Sequence, residues 1–304
     1  MKPKMKRRST FQHGSALLLV FWALLVLTAS TLGWALWMQQ GIQIQGEHNR
    51  GLEARSMAHS GLAVALHPLV SPKTPGLEKE VLAGMRYQVR IVSEGGKLNV
   101  NWLLRGEDPR KLALFKQWLA MRGLDFHQTE VFLDCLLDWV DADSIKRPNG
   151  AEDDGDYHPP NRELLSVEEI AQVRGSGPLV SQPDWKEDLT IFSRGPIDLS
   201  AAPARILKLI PGIGETRVAR FVKYRQGPDG IDGTADDVEF ASEAELQSAL
   251  GLTAAQYKDI ASFVTFKDPT MHITSVGYSG NVDRQVEVVV RKGNGNSQIL
   301  SWKE

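Results

Sequence analysis

One cysteine, Cys135, stands in 304 residues. No internal disulfide can form in any compartment, so stability has to come from the core, from metal or from partner chains. The apolar neighbours of Cys135 in EVFLDCLLDWV mark a buried thiol inside a helix. Histidine is scattered: His48, His59, His67, His127, His158 and His272 lie far apart and fit no nucleophile or metal motif, which argues against an enzyme. Acidic side chains are missing from the whole N-terminal stretch, the first being Glu47. The chain carries −2, and its first 14 residues hold five positive charges, so the remainder carries −7. Such a body is a poor partner for nucleic acid or anionic headgroups and a plausible one for divalent cations.

What the N-terminus does contain is a basic head (Lys2, Lys4, Lys6, Arg7, Arg8), Gly14, and then an apolar run from Ser15 to Met38. That run is about 24 residues, or ~36 Å of helix, enough to cross a hydrocarbon core of ~30 Å. A secretory signal has a shorter apolar core and a small-x-small cleavage site. Here Ala29, Ser30 and Gly33 are interleaved with Trp34 and Trp37, which suit an interfacial belt. The basic head keeps the N-terminus cytoplasmic and the bulk outside, in a single pass. Gly14 fits either an ordinary signal anchor or a prepilin leader cut after the glycine, leaving Ser15 first and Leu19 fifth.

Beyond the run, Leu52, Met57, Leu62, Val64 and Leu66 recur at helical spacing and Pro68 stops them, giving one helix from about Ser15 into the sixties. Tyr87, Val89 and Ile91 alternate with polar residues, and Leu98, Val100 and Trp102 repeat the alternation past Gly95-Gly96, which predicts a β-hairpin. From about Pro109 to Phe266 the period becomes helical, in DPRKLALFKQWLAMRG, QTEVFLDCLLDWV, SVEEIAQVRG, APARILKLIPGIGETRVARFVKYR and SEAELQSALG. Ser166 with Glu169, and Ser242 with Glu245, have capping-box spacing in two segments that form a weak internal repeat. Strand patterns return in HITSVGYSG, RQVEVVVRK and SQILSW. A body that begins and ends in sheet around a helical block is an α+β domain with an α insertion.

Two loops gather carboxylates. The first, 141–157, holds Asp141, Asp143, Glu152, Asp153, Asp154 and Asp156; the second, GPDGIDGTADDVEF, holds Asp229, Asp232, Asp236, Asp237 and Glu239. Hard oxygens on Gly-rich loops without nearby Cys or His favour Ca²⁺ over Zn²⁺, although neither loop has EF-hand spacing. The competing reading is a solvated acidic turn in which Asp and Gly serve the backbone. The ligand candidates are Asp141, Asp143, Glu152 and Asp153 in the first loop and Asp229, Asp232 and Asp237 in the second. LIPGIGETRVARFVKYR resembles a helix-hairpin-helix, whose backbone N–H groups and basic residues (Arg217, Arg220, Lys223, Arg225) can hold a DNA phosphate. A membrane-anchored DNA receptor is therefore the alternative function. The single hairpin, the acidic loop after it and the −7 charge stand against it.

GKLNVNWL (96–103), LLDWVDADSIKRPNGAEDDGDY (136–157), LLSVEEIAQVRG and LKLIPGIGE, with the Gly14 leader, together resemble the K-type minor pseudopilins of type II secretion along essentially the whole chain. The resemblance implies a leader 1–14, an assembly helix 15–38 and a pilin-like helix with first strands 39–104. It further implies an α-helical insertion 105–266 and closing strands 267–304: a long N-terminal helix on a small antiparallel sheet with a large all-α insertion between strands. It implies cleavage between Gly14 and Ser15 by a prepilin peptidase, N-methylation and structural Ca²⁺. It also implies I-, J- and H-type minor pseudopilins as partners, contact with secreted substrates or the secretin, no enzymatic activity and no nucleic acid. The place is the bacterial inner membrane, with the bulk periplasmic. Pilins that carry an acid at mature position five pair it with a neighbour's N-terminal amine, because each charge is costly alone in an apolar bundle. Leu19 at that position marks a tip subunit.

Overall fold

The structure, a computed structural model, describes residues 13–72, 74, 76–234, 236–293 and 297–304. Helix α1 (His13–Ala65) leads into strands β1 (Glu78–Leu82) and β2 (Met85–Ser93). A helical body follows, with α2 (Val100–Leu104), α3 (Pro109–Met121), α4 (Phe126–Val140), α5 (Gly177–Val180), α6 (Ala204–Leu207), α7 (Glu215–Arg225), α8 (Glu243–Leu250) and α9 (Ala254–Ile260). Four two-residue strands stitch it internally: β3 (Leu98–Asn99) runs parallel to β4 (Leu189–Thr190), and β5 (Ile197–Asp198) parallel to β6 (Val264–Thr265). The chain then closes with β7 (Thr270–Ser279), β8 (Val282–Lys292) and β9 (Ser297–Lys303). The main sheet is antiparallel, in the order β1-β2-β7-β8-β9.

The α+β architecture and the α1 span agree with the sequence reading. The first half of α1 is bare: Leu17 through Leu36 are exposed, and the segment is long and apolar enough to cross a membrane. The last three turns lie on the sheet, where Met57, Ala58, Leu62 and Ala65 pack against Tyr87, Val89, Ile91, Ile273, Val286, Val288 and Val290. The contact face differs from the one expected. Leu52 and Val64 point to solvent, and small residues take their place. Any Cβ on Gly277 of β7 would overlap the Ala54 carbonyl and the Ala58 amide, and one on Gly61 would come within 2.5 Å of Ser275 Oγ. Ser275 Oγ donates to Ala58 O at 2.7 Å. Lys292 Nζ donates to Ala65 O and Val70 O at 3.1 and 2.6 Å, a cation on the carbonyl end of the helix.

The predicted hairpin across Gly95-Gly96 is not formed. The hairpin is β1–β2, closed at Ala83-Gly84 with Gly84 at φ +76°. All five residues of β1 are exposed, so it carries no alternation to detect. Past Ser93 the chain leaves the sheet instead of returning. Gly96 lies against the Ala201–Ala202 backbone, and Asn99 caps α2 by accepting from Trp102 N at 3.0 Å. The capping boxes also close differently. Ser166 and Ser242 have matching backbones (φ −148°, ψ 157° and 159°), and Glu169 and Glu245 accept from the residue before each serine, Leu165 N and Ala241 N. Only Ser242 makes the side-chain cap, and SVEEIAQ forms a 3₁₀ turn.

A polar seam joins the helical body to the sheet. Glu94 is buried, and burial alone would raise its carboxyl; His272 Nδ1 at 3.2 Å and Lys97 Nζ at 2.6 Å pull it down to about 2. Asp198 accepts from Asp268 N at 2.7 Å, and Asp268 accepts from Arg194 N at 2.8 Å.

Candidate functional site

The most developed polar site is the first acidic loop where it leaves α4. Asp125 and Gln128 close a capping box at the start of that helix, and Phe132, Leu133, Leu136 and Trp139 bury one face of it. The helix ends at Asp141, with Asp138 wholly buried in the last turn. Such a carboxylate needs a cation, and Arg147 is folded back to supply one. Its Nη1 donates to Asp138 Oδ1 at 2.6 Å and to Asp141 Oδ2, and its Nη2 to Glu107 Oε1 at 2.8 Å. Asn149 N and Nδ2 both donate to Asp134 Oδ2, at 3.1 and 3.0 Å, holding this limb of the loop against the helix. A side chain on Gly150 would overlap Asp138, so the close approach needs glycine.

This folding brings one carboxylate oxygen each from Asp141, Asp143 and Glu152 within 4.8 Å of one another. Arg147 and the Ile145 amide take Asp141 Oδ2 and Asp143 Oδ1, respectively. Asp141 Oδ1 and Glu152 Oε1 are buried with no hydrogen-bond partner. Glu152 as a whole is only 8% exposed. Burial, and then the charges of Asp138, Asp141 and Asp143, push its carboxyl up from its ordinary value. Buried acceptors without donors are costly unless something positive meets them. An all-oxygen donor set suits a hard divalent cation such as Ca²⁺.

Asp153 is not brought to this cluster. It is 75% exposed at its side chain and meets His158 Nδ1 at 3.0 Å. Asp154 faces Arg174 at 3.3 Å. Asn161, absent from the sequence candidates, comes to the edge of the cluster: its Nδ2 donates to Asp143 O at 2.9 Å, and its Oδ1 is buried without a donor. An amide beyond Pro159-Pro160 carries no acidic signature, so composition could not have flagged it.

The second acidic loop is built otherwise. Asp232 receives Arg225 Nε and Nη2 at 3.2 and 3.1 Å and Gln226 Nε2 at 3.1 Å. Asp229 Oδ1 accepts from Ile231 N at 2.8 Å, Asp236 Oδ2 from Asp229 N at 3.1 Å, and Asp237 Oδ2 from Gly233 N at 2.6 Å. Among the described residues, Asp229, Asp232 and Asp237 do not gather as the three acids of the first loop do. The helix-hairpin-helix pattern is present as α6 and α7, joined through Gly212 and Gly214 at φ +80° and +72°. Two of its basic residues are already bonded within the chain. Arg225 is buried on Ser200 O, Ala202 O and Asp232, and Arg217 Nη1 donates to the hairpin's own Gly212 O at 3.2 Å.

Gly14 and Ser15 fall in the first turns of α1, and the basic head lies outside the described residues. Leu19 is exposed on the apolar half.

Residues 96–182 match the family Type II secretion system (T2SS), protein K. A type II secretion system protein K of Dickeya chrysanthemi is 39% identical over 69 residues, 22% of this chain and 20% of that protein. One from Pseudomonas aeruginosa is 25% identical over 244 residues, 73% of this chain and 71% of that protein. The solved GspK-GspI-GspJ complex of the enterotoxigenic Escherichia coli type 2 secretion system contains a chain that superposes with a TM-score of 0.60. It is 12% identical, and the match covers 86% of this chain and 98% of that one. The matched stretch 96–182 contains the whole of the first acidic loop.

Proposed function

We propose, from its membership of the type II secretion protein K family, that this chain is a non-enzymatic minor pseudopilin that caps the pseudopilus tip. A prepilin peptidase cuts between Gly14 and Ser15, and the freed helix leaves the inner membrane to pack with I-, J- and H-type minor pseudopilins. The assembled tip helps initiate the fibre and export folded proteins through the secretin. The observation that carries this reading is α1 itself. Its first half is bare and apolar, has no acid before Glu47, and continues without a break into turns clamped on the sheet. An uncovered apolar helix has to lie in lipid or against other helices. Leu19, which offers no charge to an incoming amine, fits the end of the fibre. In the E. coli complex the K-type protein is found with GspI and GspJ, which supports the same partners here. Intact mass and N-terminal sequencing with and without the peptidase test the reading. A peptidase-dependent, N-methylated chain starting at Ser15 is expected, whereas one starting at Met1 in both strains overturns it.

The first acidic loop adds a structural cation to this reading. Asp141, Asp143 and Glu152 would hold Ca²⁺, which neutralises carboxylates that otherwise repel and orders a loop too irregular to hold itself. The residues fit the ion because two of the buried oxygens have no other donor. Calorimetric titration of the chelator-treated protein checks this: saturable binding lost in Asp141→Asn is expected.

A further inference from the structure

The chain crosses between the sheet and the helical body twice, through 94–97 on the way out and 266–269 on the way back. A junction of two linkers can be a hinge or a weld, and what separates them is how closely the linkers pack and what moving them would expose. Here they are packed on one another. Glu94, Gly95 and Gly96 are buried on the outgoing side, and Asp268 is 2% exposed on the returning side. A Cβ on Gly95 would overlap Asp268 Cβ and lie 2.9 Å from Asp198 Cβ, and one on Gly96 would lie 2.7 Å from Ala201 O. Neither glycine has a positive φ, so close approach, not the backbone angle, is what requires them. The returning linker is held bent: Lys267 sits at φ +67°, a left-handed conformation that persists only where the surroundings fix it. Hydrogen bonds cross the same junction. Asp198 of β5 accepts from Asp268 N at 2.7 Å, Asp268 accepts from Arg194 N and Thr270 N at 2.8 Å each, and Arg291 Nη2 of β8 donates to Phe192 O at 3.0 Å. Swinging the helical body on its linkers would strip buried carboxylates of their donors, which is costly away from water.

We propose that Gly95-Gly96 is the seat of a weld that makes the sheet and the helical body one rigid unit, so that the direction of α1 fixes the attitude in which the helical body is presented. Because α1 is seated on the same sheet, an orientation imposed on the helix reaches every face of the helical body, including those far from it. The weld depends neither on a bound cation nor on a place in a fibre, since its contacts all lie within this chain.

Double electron–electron resonance tests this on the full-length protein in detergent, with nitroxide labels at Lys79→Cys on β1 and Lys258→Cys on α9, both exposed positions. Cys135 is buried and its thiol is pushed up to about 11, first by burial, so the label goes to the introduced sites. A single narrow distance distribution is expected with no further substitution, and a broad or two-peaked one overturns the weld. Gly95→Ala is expected to shift or broaden the distribution while circular dichroism still reports the folded helix content. A folded Gly95→Ala protein with the original distribution overturns the role given to the glycine. If Gly95→Ala does not fold, Asp198→Ala decides instead. It takes the acceptor from Asp268 N and is expected to broaden the distribution, and an unchanged distribution there overturns the proposal.

Discussion

The two acidic loops have nearly the same composition and opposite internal arrangements. In the second, the named aspartates accept from nearby amides or from Arg225. Backbone amides and Arg225 of α7 thus take the named oxygens of the second loop, and an ion entering beside Asp232 has to displace Arg225. In the first, Arg147 takes Asp138 and one oxygen of Asp141, and what remains is a pocket of buried oxygens with no donor. A run of acids and glycines therefore does not by itself indicate a metal. What distinguishes the loops is how many carboxylate oxygens the backbone and the nearest arginine leave over.

The largest test of that contrast is Arg147→Gln. It strands Asp138 in the core without its cation, and loss of one partner of a buried pair costs about 3–5 kcal/mol. Denaturant unfolding in chelator should show this loss, and calcium should recover part of it. Next is the ion: saturating wild type with Ca²⁺ at about 100 times its dissociation constant should add ~2.7 kcal/mol. Limited proteolysis should then show protection within 141–161 and none within 226–241. Arg225→Met should cost about 2 kcal/mol by leaving the Ser200 and Ala202 carbonyls bare, equally with and without calcium. A calcium-dependent loss there would break the contrast. The smallest effect belongs to Asp153→Asn. Exposed and paired only with His158, it should shift stability by less than about 0.5 kcal/mol and leave calcium affinity unchanged.

Much of the fold is legible in apolar periodicity. β2 alternates buried and exposed residues, the last turns of α1 are buried on one face, and Leu114, Phe115, Trp118 and Leu119 of α3 and Phe132, Leu133 and Leu136 of α4 are buried at helical spacing. The misreadings come where a polar side chain decides the backbone. LNVNW alternates like a strand, yet Asn99 captures the Trp102 amide and starts a helix. EKEVL is a strand because β2 needs a neighbour, not because it has a face to bury. Site legibility divides the same way. Asp141, Asp143 and Glu152 are visible as acids on a loop, whereas the displacement of Asp153 toward His158 and the arrival of Asn161 depend on the path through Pro159-Pro160.

The overlap that any side chain at Gly277 would create has a mechanical meaning. With Ala54 and Ala58 seated against the backbone of β7, α1 cannot slide along the sheet without climbing over it. β7 is the middle strand of five, hydrogen-bonded along its length to β2 and β8. A pull along α1 would therefore be delivered as shear to the centre of the sheet and spread over both neighbouring ladders. The helix works as a tow bar whose hitch is a missing side chain.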